Sequence, residues 1–292
     1  MSLSNLSSRS LVTIRRRLRA TWRFAKSSPL NAFAVVLVLG VLFCAVFGPL
    51  FAPYAPDQTD FANTLQSPTL HHLFGTDELG RDLFSRILYG TRISLEVAVI
   101  ILSFAVVFGT LLGIVSGYLG GLVDEIIMRI TDLFLGFPAL ILAAAIAATL
   151  GPSLNHTIIA LAIVWWPWYA RLARGQVLAL REREFVLAAG IAGASVPRVV
   201  LRHLLPNIYS LMVVQLSMDV GNAILSTSSL SFLGLGAQPP EPEWGAIISQ
   251  GSTYILNAWW YITFAGIALA LTVLGFNLLG EGLRDWMDPK LR

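Results

Sequence analysis

Six long runs of apolar residues limit what this chain can fold into more than any other feature. Residues 32–51 carry no charge, and neither does anything else between Lys26 and Asp57. Further runs cover 97–123, 133–150, 154–170, 208–236 (interrupted by Asp219) and 260–280. A helix needs about 20 mostly apolar residues to cross a hydrocarbon core of ~30 Å. At ~1.5 Å per residue the run 97–123 is about 40 Å long, so it must tilt or protrude. The run 154–170 is short, and Gly151-Pro152 just before it reads as a tight hairpin. In lipid only helices or closed barrels satisfy the backbone polar groups, and no run alternates with period two. The expected fold is therefore all-α, an integral membrane protein with six transmembrane helices.

Composition narrows the function. Of 292 residues, 55% are hydrophobic and 13% charged, against about 25% charged in soluble domains. That excludes a disordered chain, a nucleic-acid binder and an ordinary soluble enzyme. The only lysines are Lys26 and Lys290, and neither follows a glycine. A phosphate-binding P-loop needs Gly-Lys-Ser/Thr, so no such ATP site is expected here. The single cysteine, Cys44, rules out a disulfide framework or a CxxC metal site.

Basic residues set the orientation. The first 31 residues hold seven basic side chains and no acidic one. With that arm inside the cell, Arg129, the six arginines from Arg171 to Arg202 and the three basic residues of the tail also fall inside. Only Arg81, Arg86 and Arg92 remain outside, so seventeen of the twenty basic residues are cytoplasmic and both termini face inward. The first run exceeds the 7–15 apolar residues of a signal peptide and reads as a retained helix. The predicted organisation is a basic arm (1–31), a first helix (32–51), an outer segment (52–92), a five-helix core (93–283) containing a cytoplasmic loop (171–207), and a tail (284–292). Residues 11–26 alternate apolar side chains with arginine, as in an amphipathic surface helix or a solvated arm.

Catalytic signatures are weak. Gly113 to Gly117 has the wrong spacing for a membrane serine protease, and Asp219 has no second intramembrane aspartate to form a protease pair. His71-His72 near Asp77 is a poor metal signal, because adjacent residues point apart and no third ligand is suitably spaced. Two other features carry more. Gly109, Gly113, Gly117 and Gly121 are each four apart, a smooth stripe on a helix suited to close packing, whether static or sliding. Asp219 is the only acidic residue deep inside a run. It either lines a substrate path or makes a structural hydrogen bond to a neighbouring helix.

The loop 171–207 is the most informative segment. Residues 181–192 read as a short helix, Gly193 as its left-handed terminator, Ser195 as the N-cap of a second helix and Pro197 as part of its first turn. Pro206 marks the handover to the fifth run. Such a hairpin is too short and too charged to cross a membrane and is suited to docking onto a cytoplasmic partner.

This segment resembles the coupling motif of ABC importer permeases, in which Glu-Ala-Ala, three residues, Gly and nine residues precede Ile-x-Leu-Pro. Ala188-Ala189, Gly193 and Leu205-Pro206 are in register, while Leu187 replaces the Glu and His203 the Ile. The stretch Phe74-Gly-Thr-Asp-Glu-Leu-Gly-Arg-Asp82 with Arg86 and Gly90-Thr-Arg92 is similar to a signature of the dipeptide/oligopeptide/nickel class. So are Leu230-Ser-Phe-Leu-Gly-Leu-Gly236, Pro239-Pro240, Trp244-Gly245 and the C-terminal Asn277-Leu-Leu-Gly280, though Thr227 stands where many relatives carry Glu. The chain looks most like the second, C-type permease of a pair.

The resemblance implies a type I ABC importer permease that moves peptides or a related small solute. A self-contained secondary transporter or channel is the alternative. It implies no cofactor in this chain, since ATP and Mg would be bound by two cytoplasmic ATP-binding subunits. The other implied partners are a paralogous permease, a periplasmic or lipid-anchored solute-binding protein on the side of the outer segment, and membrane lipids. Glu184, Ala188, Ala189, Gly193, Leu205 and Pro206 would meet the ATPase, and Asp219 would lie on the path.

Overall fold

A computed structural model describes Phe24 and residues 28–287. The rest of the basic arm up to residue 27, including the amphipathic stretch, and the tail beyond residue 287 lie outside the described residues.

Helix α1 (Pro29–Phe51) begins where Ser28 caps it, its hydroxyl accepting from the Leu30 N–H at 3.2 Å, and where Pro29 occupies a position with no helical partner for an N–H. Its lipid-type exterior is plain: Val36, Leu39, Val46 and Leu50 are each at least 60% exposed. The outer segment then folds back over the bundle, with a short 3₁₀ turn at Phe61–Asn63. Asp77 is its buried hub. The carboxylate accepts from the backbone N–H groups of Leu79 and Arg81, both at 2.9 Å, and from Arg81 Nε at 2.6 Å, with Arg86 Nε 3.6 Å away. Asp82 caps the next helix, accepting from Ser85 N at 2.8 Å, and faces His72 Nδ1 at 3.0 Å. Gly80 is required here, since a Cβ would fall 1.8 Å from the Asp60 carbonyl oxygen. The cap thus pairs Arg81 with Asp77 rather than with its neighbour Asp82, and His72 with Asp82 rather than with a metal-type cluster around Asp77. Among the described residues no group of three or more His, Cys, Asp or Glu side chains is placed to hold a metal.

Helix α2 (Leu83–Leu119) is long and largely buried on one side. It stops before the end of the predicted run 97–123, because Gly120 and Gly121 both take positive φ, 67° and 55°. Helix α3 (Gly121–Leu135) follows that break, and α4 (Ala139–Leu150) lies at 87° to it. The run 133–150 is therefore not one straight span: Pro138 opens α4, whose 12 residues are about 18 Å long, short of the ~30 Å core. Helix α5 (Leu154–Arg181) continues well past residue 170.

Helices α6 (Glu184–Ile191) and α7 (Val196–Val199) form the expected hairpin, with α6 starting at Glu184 rather than at Arg181. Ser195 precedes α7 without a side-chain cap bond. The chain does not break at Pro206: a π turn at Val200–Leu204 leads directly into α8 (Leu205–Phe232). A widened turn there suits a proline that has no N–H to donate. Helix α9 (Trp244–Ser252) is capped by buried Glu243, and α10 (Trp259–Met287) closes the described chain.

Among the described residues four helical stretches are long and apolar enough to cross a membrane: Pro29–Phe51, Leu83–Leu119, Val196–Phe232 and Trp259–Met287. The bent pair α3–α4 makes a fifth if counted as one span. Helix α5 packs along α2, and the contacts advance together along both chains. Cβ atoms built on Gly109 and Gly113 would meet the carbonyl oxygens of Trp166 and Ala170, and one on Gly117 would meet Val177. The two helices therefore run parallel. Helix α8 packs antiparallel to α10, with Gly221 against Val273 and Gly280 against Met218.

Candidate functional site

Two regions gather the candidate residues. The first lies where α5 meets α8. Close approach of α2 and α5 over the glycine stripe sets Tyr169, whose Cβ sits 2.8 Å from where a Cβ on Gly109 would be. From there the Tyr169 hydroxyl donates to Asp219 Oδ2 at 2.7 Å. Gln215 Nε2 donates to the same oxygen at 3.0 Å, and Asn222 Nδ2 lies 3.5 Å from Oδ1. Asp219 thus has the interhelical hydrogen bond that was one of its two predicted roles. It also lines a cavity of about 530 Å³ bounded by α4, α5 and α8, together with Trp165, Trp168, Gln215, Asn222 and Ser226.

Gln215, Asp219, Asn222 and Ser226 lie at i, i+4, i+7 and i+11, within one narrow arc of a helix turning ~100° per residue. The resulting polar stripe is about 16 Å long, roughly half the thickness of the hydrocarbon core. Asn222 is exposed on the isolated chain, and an exposed amide at that depth fits water or a protein neighbour rather than lipid tails. In the sequence Asp219 alone of these four stands out, as the charge within an apolar run. The spacing of its polar neighbours was visible in the chain, whereas Tyr169, fifty positions away, was not.

Of the glycines, Gly109, Gly113 and Gly117 sit against α5. Gly121 does not belong with them, since α2 has already ended, and no atom lies within 4 Å of a Cβ built on it. Below the stripe α3 is tied to α5 by ion pairs. Arg174 donates to both oxygens of Asp124 at 2.6 Å, Ser116 donates to the same carboxylate, and Arg171 pairs with Asp132.

The second region is the hairpin α6–α7. Val186, Val199 and Leu204 are buried in the main core and anchor it. Helix α6 ends in a double-bonded cap: Gly193 N–H donates to Gly190 O and Ala194 N–H to Ala189 O, both at 3.0 Å, with Gly193 at φ 77°. Among the described residues nothing lies within 4 Å of a Cβ on Gly193, so its backbone conformation rather than its packing calls for glycine. Glu184, Ala188 and Pro206 are exposed, while Ala189 and Leu205 are half-buried against the core. Around them Phe185, Leu187, Ile191, Val196 and Leu201 are 44–90% exposed, an apolar surface on a charged loop. Leu187, at the motif's usual Glu position, belongs to this surface.

Comparison with known proteins supplies the family. Residues 109–292 match the model for binding-protein-dependent transport system inner membrane components. The chain belongs to this family. Residues 17–68 also match the model for the N-terminal transmembrane domain of oligopeptide transport permease C. A probable D,D-dipeptide transport system permease of Escherichia coli K12 is 46% identical over 91% of this chain and 89% of its own length. The dipeptide transport permease of Alkalihalophilus pseudofirmus is 43% identical over 94% and 90%. A glutathione transport permease of Escherichia coli O6 is 44% identical over 93% and 90%. Among solved structures, an inward-facing MetNI methionine ABC transporter matches with a TM-score of 0.56 and 19% identity, over 69% of this chain and 96% of its own. That likeness shows the fold.

This permease is therefore a multi-pass component of the bacterial inner membrane and a transport subunit rather than an enzyme, with ATP hydrolysed by partner subunits. Family membership also brings, in general terms, a second permease and a binding protein.

Proposed function

We propose that this permease is the C-type subunit of a type I ABC importer for di- or oligopeptides or closely related solutes. Relatives carrying dipeptide and glutathione names at 43–46% identity over about nine-tenths of the chain favour that solute class. In this reading a paralogous permease faces the polar stripe of α8 and completes the path, and a solute-binding protein delivers to the outer segment 52–92. Helix α5 and the bent pair α3–α4 complete six spans with both termini inside, in line with the basic residues. The chain itself needs no cofactor; ATP and Mg belong to two cytoplasmic subunits. Rocking of the two permeases opens the path to each side in turn.

The observation that carries the coupling role is the hairpin α6–α7, anchored in the core by Val186, Val199 and Leu204 while its apolar residues stay exposed. Glu184, Ala188, Ala189 and Gly193, with Leu205 and Pro206 at the base, are the proposed ATPase contact. The test is reconstitution of the whole transporter in liposomes. Gly193→Arg should abolish peptide uptake and its coupling to ATP hydrolysis while the permease still inserts and folds. Intact coupling in that variant refutes the docking assignment. Solute flux through this chain alone would instead establish a self-contained transporter.

A further inference from the structure

Asp219 is 8% exposed within the apolar stretch Val196–Phe232, and none of the ion pairs among the described residues includes it. Its three hydrogen-bonding neighbours, Tyr169, Gln215 and Asn222, are all neutral. They are also unevenly shared. Oδ2 takes the two good hydrogen bonds, at 2.7 and 3.0 Å, while among the described residues Oδ1 has only the long Asn222 contact at 3.5 Å. Oδ1 therefore keeps acceptor capacity, and Asp219 lines the cavity of about 530 Å³. A negative charge held in a low-dielectric site without a counter-ion attracts a cation strongly. The same cavity is walled by Trp165 and Trp168, whose ring faces also favour a cation or an apolar side chain.

We propose that Asp219 is a binding site for the positively charged amino group of the solute in transit, with Oδ1 accepting from the ammonium. Tyr169 and Gln215 are positioning residues that hold Oδ2 and leave Oδ1 to accept. The site rests on the reading of this chain as a path for peptide-like solutes and adds the chemical group it recognises. A single weakly engaged acceptor suits passage, since tight binding would trap the solute.

The experiment uses the complete transporter in proteoliposomes. Cys44→Ser removes this chain's only thiol, and Asn222→Cys then reports from the cavity wall, with labelling read on this chain after separation of the subunits. Cationic aminoethyl and anionic sulfonatoethyl methanethiosulfonates are compared. Asp219→Asn should lower the cationic-to-anionic rate ratio about tenfold, a loss of about 1.4 kcal/mol of attraction, and Asp219→Glu should preserve it. Dialanine in excess should slow labelling, and N-acetyl-dialanine should not. Without the cysteine, Asp219→Asn should reduce dialanine uptake about tenfold, Asp219→Glu less, while ATP hydrolysis stimulated by the binding protein persists. An unchanged rate ratio in Asp219→Asn, or equal protection by the two peptides, overturns the proposal. The ratio is read on the permease itself, so absence of ATP-driven uptake in the unsubstituted complex would refute the importer reading instead.

Discussion

The α2–α5 contact makes a graded prediction. A Cβ on Gly113 would lie 2.2 Å from the Ala170 carbonyl oxygen, about 1.2 Å inside the 3.4 Å where ordinary contact begins. Gly109 is nearly as tight, at 2.3 Å from the Trp166 carbonyl oxygen. Both obstacles are backbone atoms of a helix, which can yield only if α2 and α5 move apart. Overpacking of this kind costs about 1–3 kcal/mol, offset by roughly 0.5–1 kcal/mol of helix propensity gained when Gly becomes Ala. The net for Gly113→Ala and Gly109→Ala is a loss of about 1–2 kcal/mol each, or a fall of roughly 5 °C in unfolding midpoint. At Gly117 the nearest atom is 2.9 Å away and belongs to the Val177 side chain, so Gly117→Ala should cost less. Gly40 on α1 has no neighbour within 4 Å, and Gly40→Ala should be neutral or slightly stabilising. Thermal unfolding of the purified transporter, followed by intrinsic tryptophan fluorescence, supplies the ranking. If Gly113→Ala melts with Gly40→Ala, the close approach of the two helices is wrong. Gly109→Ala should also displace Tyr169 and weaken its bond to Asp219, reducing uptake beyond what stability explains.

Asp77→Asn removes the charge that faces buried Arg81 and Arg86 and should destabilise the outer cap by about 3–5 kcal/mol, read as rapid proteolysis of residues 52–82 from the outer side. Exposed Asp57→Asn is the control and should leave cleavage unchanged. Arg174→Gln breaks the bidentate pair with Asp124, and amide exchange in α3 should speed up about tenfold, as expected for loss of a charge-assisted bond of ~1.5 kcal/mol. Arg129→Gln, whose pair with Glu125 is 3.7 Å long and exposed on both sides, should change nothing measurable.

The spans most easily read from the chain are those where hydropathy and local breakers agree. Helix α1 covers the first apolar run, read as 32–51, and begins three residues earlier, at Pro29 after the Ser28 cap. The hairpin α6–α7 was legible for the same reason: Gly193 ends the helix through its own backbone freedom, whatever surrounds it. The glycine stripe was legible as a surface because its period matches the helix. What it packs against was not.

The corrections share one cause. An uncharged run looks the same whether the helix inside it is straight or bent. The breaks at Gly120–Gly121 and before α4 therefore divided runs that hydropathy alone joined, and separated Gly121 from its stripe. The pairing of Arg81 with Asp77, which no expectation from the chain anticipated, follows from a turn that brings residues four apart face to face. Asp219 shows the division most clearly. Its presence in an apolar run announced a polar site, because an ionisable group at that depth must be satisfied. Which groups satisfy it depended on α5 running parallel to α2, close enough over Gly109 for the Tyr169 hydroxyl to reach α8. Composition and local conformational preference determined the membrane class, the cap and the hairpin. Helix packing decided the bends and the interhelical partners, because these depend on distances between segments far apart in the chain.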